Sequence, residues 1–234
     1  MKKLTTLLFF LTIALSFTVQ ARKVPVTTAA TLRTAYSAAQ DKDTILLMPG
    51  VYNTGTNLKL HKSGLVVIKS FYPDTLAILQ GEIGVNTDTT STVRPSLILE
   101  NLHLQDRSNG VGQYIFACKN VFVNIDTLAF RNCEISKVGR SIFRSEQPSA
   151  YSPTYNANCG EIEWLEMSNC KIHDCNNSNS DSWAQIYCAH IPMYVSIINN
   201  TFYDIPYAKG ILNFNHMENN TGRNAEIRLE NNTI

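Results

Sequence analysis

Long apolar runs are scarce in these 234 residues. Only the stretch from Leu7 to Val19 is continuous, and it is too short and too weakly flanked for a membrane span. Excess charge is missing as well. Twenty basic and 19 acidic residues give a net charge of +1, and without residues 1–21 the balance is −1. A near-neutral chain lacks the basic surplus that holds nucleic acid. There is no glycine-rich nucleotide loop and no G-x-S-x-G nucleophile turn. The six cysteines, Cys118, Cys133, Cys159, Cys170, Cys175 and Cys188, show no zinc-site spacing. None precedes Cys118, so no thiol is available near the amino terminus for a lipid anchor. Past residue 40, helical periodicity is nearly absent.

What is present is a phrase written five times: two alternating apolar residues, an asparagine, two free positions and another apolar residue. The copies are Leu97-x-Leu99-x-Asn101-x-x-Leu104, Leu128-x-Phe130-x-Asn132-x-x-Ile135 and Leu165-x-Met167-x-Asn169-x-x-Ile172. Val195-x-Ile197-x-Asn199-x-x-Phe202 and Ile227-x-Leu229-x-Asn231-x-x-Ile234 follow, with asparagine spacings of 31, 37, 30 and 32 residues. Repetition at that period marks stacked coils, each burying its apolar side against the next. Alternation at period two puts the apolar pair on one face of a short strand. The expected fold is therefore all-β, a parallel β-helix (solenoid). The asparagines Asn101, Asn132, Asn169, Asn199 and Asn231 are expected as an inward ladder, each amide bonding to that of the next coil. The competing reading makes them turn residues, chosen for tolerance of left-handed backbone.

A second set of strands is expected where Ile115-Phe116, Ile142-Phe143, Ile186-Tyr187 and Ile211-Leu212 recur between the copies. Aligning the isoleucines puts Gln113, Arg140, Ala184 and Lys209 two positions before them. Ala117, Arg144, Cys188 and Asn213 fall two after, and Lys119, Glu146, His190 and Asn215 four after. If these positions face outward, Arg140, Arg144, His190, Lys209, Asn213 and Asn215 form a polar stripe able to follow an acidic sugar chain. An ordinary solvated face is the plainer alternative.

Residues 1–21 read as a secretory signal peptide, with Lys2 and Lys3, the apolar run, and Val19-Gln20-Ala21 as cleavage site. The protein is then periplasmic, cell-surface or secreted, and residues 22–234 form a single β-helix domain without a visible carboxy-terminal cap. Thr31 is expected to cap a helix from Leu32 to about Ala39, with Leu32, Tyr36 and Ala39 along one face. Such a helix would close the open apolar end of the first coil.

This opening carries a family resemblance. Thr31-Leu32-Arg33-Thr34-Ala35 through Ala38-Ala39, Asp43-Thr44-Ile45-Leu46-Leu47 and Pro49-Gly50-Val51-Tyr52 resemble the start of pectin-lyase-like right-handed β-helices. The pattern, over residues 26–234, is most similar to the chondroitinase-B and alginate-lyase group, polysaccharide lyase family 6. That resemblance implies a right-handed parallel β-helix acting on or binding an acidic polysaccharide. The family's lyases pair a lysine base with an arginine, usually with calcium. No lysine or arginine of this chain matches that pair, so catalytic residues stay open, as does a non-catalytic sugar-binding or structural role.

Other residues have plain readings beside chemical ones. Gln105-Asp106, His173-Asp174 and Tyr203-Asp204 follow ladder asparagines, where the aspartates suit turn capping better than acid–base work. His103 reads as a surface residue. The segment from Asp174 to Asp181 is rich in oxygen donors that would suit calcium, yet lacks the EF-hand glycine and terminal glutamate. Trp183 and Tyr187 beside it would suit sugar stacking or packing. Cys133 and Cys170 should stack on adjacent coils as buried thiols.

Overall fold

The computed structural model describes residues 21–60, 63–85, 93–106, 114–119, 124–146, 162–176, 184–190, 192–206, 208–216 and 224–234. The signal-peptide reading of residues 1–20 lies outside them. Alternating apolar residues build a parallel β-helix from two sheets. The first contains β1 (Lys23–Val26), β2 (Asp43–Leu47), β4 (Gly64–Ser70), β6 (Pro95–Glu100), β9 (Ile125–Arg131), β12 (Ile162–Ser168), β15 (Tyr194–Ile198) and β18 (Glu226–Glu230), paired in that order. The second wraps around a corner. β3 (Val51–Leu60) and β5 (Ala77–Val85) span both of its flanks, and β3 pairs with β5. One flank continues through β7 (Leu102–Gln105), β10 (Glu134–Ser136), β13 (Lys171–His173) and β16 (Thr201–Tyr203). The other continues through β8 (Tyr114–Lys119), β11 (Ser141–Glu146), β14 (Ile186–His190) and β17 (Leu212–His216). The corner needs glycine: Gly81 has φ +123°, and a Cβ there would lie 2.3 Å from the Gly55 carbonyl oxygen.

Register stacks like on like. In the first sheet Val24, Ile45, Ile68, Leu99, Phe130, Met167, Ile197 and Leu229 follow one another. Tyr52, Leu79, Leu104, Ile135, Ile172 and Phe202 do the same on the next flank. Ile83, Phe116, Phe143, Ile186 and Leu212 line the third. The repeat's apolar positions therefore point inward, as the period-two alternation implies.

Helix α1 (Ala29–Ala38) precedes the first full coil and buries Leu32 and Tyr36, with Ala39 buried just beyond. Its cap is Thr28 rather than Thr31. Thr28 Oγ1 accepts from the Thr31 amide at 3.1 Å while Thr31 Oγ1 accepts from the Thr28 amide at 3.0 Å. Thr31 is the other half of a capping box, which starts the helix three residues earlier.

The ladder asparagines stack at one position per coil, but not inside. Asn101, Asn132, Asn169, Asn199 and Asn231 all have left-handed backbone, φ 51° to 57°. Asn132, Asn169, Asn199 and Asn231 are exposed, and Asn101 is half-buried. They turn the chain out of the first sheet, which asparagine does at little steric cost. The inward polar stack lies one residue later, in the row Leu102, Cys133, Cys170, Asn200 and Asn232. Asn200 Oδ1 accepts from the Cys170 amide at 2.8 Å, and its Nδ2 donates to the Met167 carbonyl at 2.9 Å and to Asn232 Oδ1 at 3.0 Å. Asn232 Nδ2 donates to the Ile197 carbonyl at 2.8 Å. Cys133 and Cys170 are buried free thiols in the same row, Cys175 is a buried free thiol at the next corner, and Cys188 is buried on β14.

This relocation is testable by urea melts. Asn200→Leu strands the Cys170 amide, the Met167 carbonyl and Asn232, so it is expected to cost about 2 kcal/mol or more. Asn169→Gly keeps the left-handed turn and is expected to stay within about 0.5 kcal/mol of the parent. Equal losses would return the amide stack to Asn169.

Candidate functional site

The expected basic stripe does not assemble as one row. Phe143 pairs with Phe116 on one side and with Ile186 on the other, and Ile186 pairs with Leu212. The isoleucine alignment therefore slips by one residue between β11 and β14 and slips back between β14 and β17, so β14 alone leaves the aligned rows. Arg144 shares a row with Ala117, Tyr187 and Asn213, while Cys188 joins Ser145 and Phe214. Arg144 is only 4% exposed, its guanidinium carbon is 5.2 Å from the Tyr114 ring centre, and its Nη1 donates to the Tyr114 hydroxyl. Arg140 Nη1 reaches the same hydroxyl at 3.4 Å. These two arginines are packed around a buried phenol instead of lining a groove. Lys209 and Asn213 are exposed, Lys209 in the turn before β17 and Asn213 within it. The side chains of His190 and Asn215 lie outside the described residues, as do residues 177–183 of the oxygen-rich loop, Trp183 included. Asp174 and Asn176 from that loop are left-handed turn residues, and Cys175 between them is buried. Among the described residues, no group of three or more His, Cys, Asp or Glu is placed to hold a metal ion.

A different cluster forms on the outer surface of the flank built from β5, β7, β10, β13 and β16. Strand register places His103 beside Glu134 and Glu134 beside Lys171; the next outward row runs Gln80, Gln105, Ser136, His173 and Tyr203. Gln80 Nε2 donates to Gln105 Oε1 at 2.9 Å, which turns the Gln105 amide nitrogen toward His103 Nε2 at 3.0 Å. His103 Nε2 is therefore an acceptor, and the ring is neutral. Ser136 Oγ lies 2.8 Å from the same nitrogen. Burial lowers the His103 pKa against the pull of the Glu134 carboxylate, and His173 and Lys137 push it the same way as burial.

His173 sits between two carboxylates. Its Nε2 is 3.2 Å from Glu134 Oε1 and its Nδ1 is 2.8 Å from Asp174 Oδ2. Each of its ring nitrogens therefore faces a carboxylate oxygen. The Tyr203 ring stacks on it, centres 4.9 Å apart and planes 13° apart. The face thus holds two imidazoles at one Glu134 oxygen, with Lys171 exposed nearby. A serine-hydrolase arrangement is excluded on geometry. Glu134 approaches His103 at Nε2, 3.5 Å away, on the nitrogen that already faces Ser136. Ser136 itself is buried.

The aspartates after this flank sit at its corner. Asp174 and Asp204 have φ 50° and 52°, and Lys137 occupies the same corner of its own coil at φ 56°. Turn formation accounts for those two aspartates. Asp106 differs: it is buried, and its Oδ2 accepts from the Gly139 amide at 3.2 Å across coils.

No family model, no curated protein and no solved structure matches the chain.

The lowered His103 pKa sets a pH dependence. A folded-state pKa below the unfolded value means the unfolded chain takes up the proton first. Stability from this site is then full above the ordinary histidine value of 6.5 and is lost as pH falls through the lower folded value. Thermal melts between pH 8 and pH 5 are expected to show the parent losing more stability than His103→Gln. Parallel curves would mean that His103 titrates as if exposed.

Proposed function

We propose that this protein contacts an extended polysaccharide along its β7–β10–β13–β16 face, that the polymer is uronate-containing, and that its chemistry there is lyase-like. The observation that supports this reading is the meeting of two imidazoles at one Glu134 oxygen. His103, whose pKa burial lowers, and His173 lie 3.5 and 3.2 Å from that oxygen. Uronate elimination needs a base for the proton beside the carboxylate and positive charge to neutralise that carboxylate. His103 would take the C5 proton, the C5–H electron pair would form the C4=C5 double bond, and the C4–O bond would break, its oxygen leaving with a proton taken from water. His173 and Lys171 would face the sugar carboxylate, and Tyr203 would lie against a ring. The straight stack of coils, repeating at about 4.8 Å, suits an extended polymer.

A binding-only reading draws on one specific observation. His103 Nε2 already faces Gln105 and Ser136, and the ring is largely covered, so the base would have to be released before it could act. An ultraviolet assay of the folded chain on alginate, pectate, chondroitin sulfate and dermatan sulfate, with and without calcium, separates the two. Lyase action gives rising unsaturated-uronate absorbance, reduced at least about a hundredfold in His103→Ala. Binding alone gives a flat trace together with polymer affinity that falls in His173→Ala and Tyr203→Ala. Neither signal on any of the four polymers would remove the uronate reading.

Export belongs to the same proposal. The Arg22 amide nitrogen is 2.9 Å from Asp43 Oδ1, and the Arg22 side chain bonds the same carboxylate. Cleavage after Ala21 would set the new terminal ammonium on a buried carboxylate, whose pKa hydrogen bonds from Arg22 already lower to about 2. Amino-terminal sequencing of protein expressed with its leader in a secreting host is expected to begin at Arg22. An intact Met1 start in recovered extracellular protein would contradict processing there.

A further inference from the structure

The outer surface of the first sheet carries a second feature, independent of the histidine face and of the reading given to it. Trp164 and Tyr194 are register partners on β12 and β15, with ring centres 5.2 Å apart and planes tilted by 30°. Trp164 is 40% exposed, and Tyr194 is half-buried. Thr127 precedes the pair in its row and Glu226 follows it.

A cross-strand aromatic pair on a sheet surface has a structural use, since such pairs stabilise the strands they join. This one is also held in place from the side. The Trp164 side chain, two residues along the same outward face, comes near enough to Glu166 to help lower its pKa. Arg131 clamps that carboxylate from two nitrogens, at 2.8 and 2.6 Å, and Ser168 Oγ donates to it at 2.8 Å. Burial would raise the Glu166 pKa, but Arg131, Ser168 and Trp164 together outweigh it and the net shift is downward. The clamp therefore persists through the neutral range beside the indole, which packs against the Tyr194 ring and keeps part of its surface open to solvent. Fixing the ring in advance removes the ordering cost that weakens binding to a mobile side chain.

We infer that Trp164 and Tyr194 form a sugar-binding platform for an uncharged pyranose ring, separate from the histidine face. The apolar C–H face of a pyranose matches an exposed aromatic pair, and Thr127 and Glu226 at its two ends offer partners for ring hydroxyls. Charge decides against a uronate here. Lys69, Arg131 and Arg228 on this sheet each already face a carboxylate, Glu100, Glu166 and Glu230. Glu226 adds a further negative charge beside Tyr194. The two outer faces thus select different sugars.

The test is tryptophan emission and calorimetry on the folded chain with cellohexaose, mannohexaose, xylohexaose and hexagalacturonate. At least one neutral hexasaccharide is expected to bind and shift the emission, and hexagalacturonate is expected to leave the emission unchanged. Trp164→Ala is expected to weaken the neutral sugar by about tenfold or more. Trp164→Phe retains a stacking ring and is expected to fall between, with melting curves confirming that both variants fold. Equal affinity of Trp164→Ala and parent would overturn the platform. So would an emission shift driven by hexagalacturonate, or the absence of a shift with all three neutral sugars, which would leave the pair a strand-joining contact only. Uronate binding that fails in His173→Ala but survives in Trp164→Ala keeps the two sites distinguishable.

Discussion

Parallel register is the constraint on which the rest of this structure depends. Each coil can bury its apolar side only against its neighbours, so every inward position must fall on an apolar position of the next coil. From Ile45 to Leu229 the first sheet meets that condition strand after strand. The neighbouring row begins instead with Asp43, which pairs with Val66 and sits ahead of Leu97, Leu128, Leu165 and Val195. A carboxylate at an inward position is tolerable only with strong partners. Arg22 and the Gln40 amide supply them at the end of the stack, next to α1. The helix and this ion pair together close the end that apolar stacking leaves open.

Period-two alternation made the first sheet and its inward residues readable, because one-residue errors there would turn every apolar side chain to water. The same logic fails where two apolar residues are adjacent. Ile142-Phe143 and Ile186-Tyr187 offer two equally apolar alignments, and the structure takes the one that joins Phe143 to Ile186. With that slip β14 leaves the expected rows while Arg144 and Asn213 still share one, and the Arg144 guanidinium goes to the Tyr114 phenol. The asparagines show a different ambiguity. Left-handed turns and amide ladders both favour asparagine, and Asn199-Asn200 contains one of each. Only the backbone angle separates Asn199, at φ 57°, from the inward Asn200.

The histidine face was legible in principle. Counting from each ladder asparagine, the second position holds His103, Glu134, Lys171 and Thr201, and the fourth holds Gln105, Ser136, His173 and Tyr203. Strands of three or four residues give too little alternation to reveal those rows. Coil lengths between 30 and 37 residues then hide residues that end up adjacent. His103 and Glu134 are 31 positions apart, yet one strand spacing separates them in space. What no pattern supplies is protonation state. For His103 that comes from burial and from Gln80 orienting Gln105.

Burial and partnering also explain why polar side chains on the outer surface are not equivalent. Arg131 and Arg228 are spent on glutamates within the first sheet, so that surface offers aromatic area and little free positive charge. On the histidine flank, two imidazoles share a single Glu134 oxygen, and Asp174 meets the far nitrogen of His173 at the rim. A solenoid multiplies whatever each coil places at a given register, so one substitution per repeat changes a whole stripe. Thr127, Trp164, Tyr194 and Glu226 occupy one such register on the first sheet, while Gln80, Gln105, Ser136, His173 and Tyr203 occupy one on the second. The core rows cannot vary in that way without losing their partners, which leaves recognition to the outward rows of a common frame.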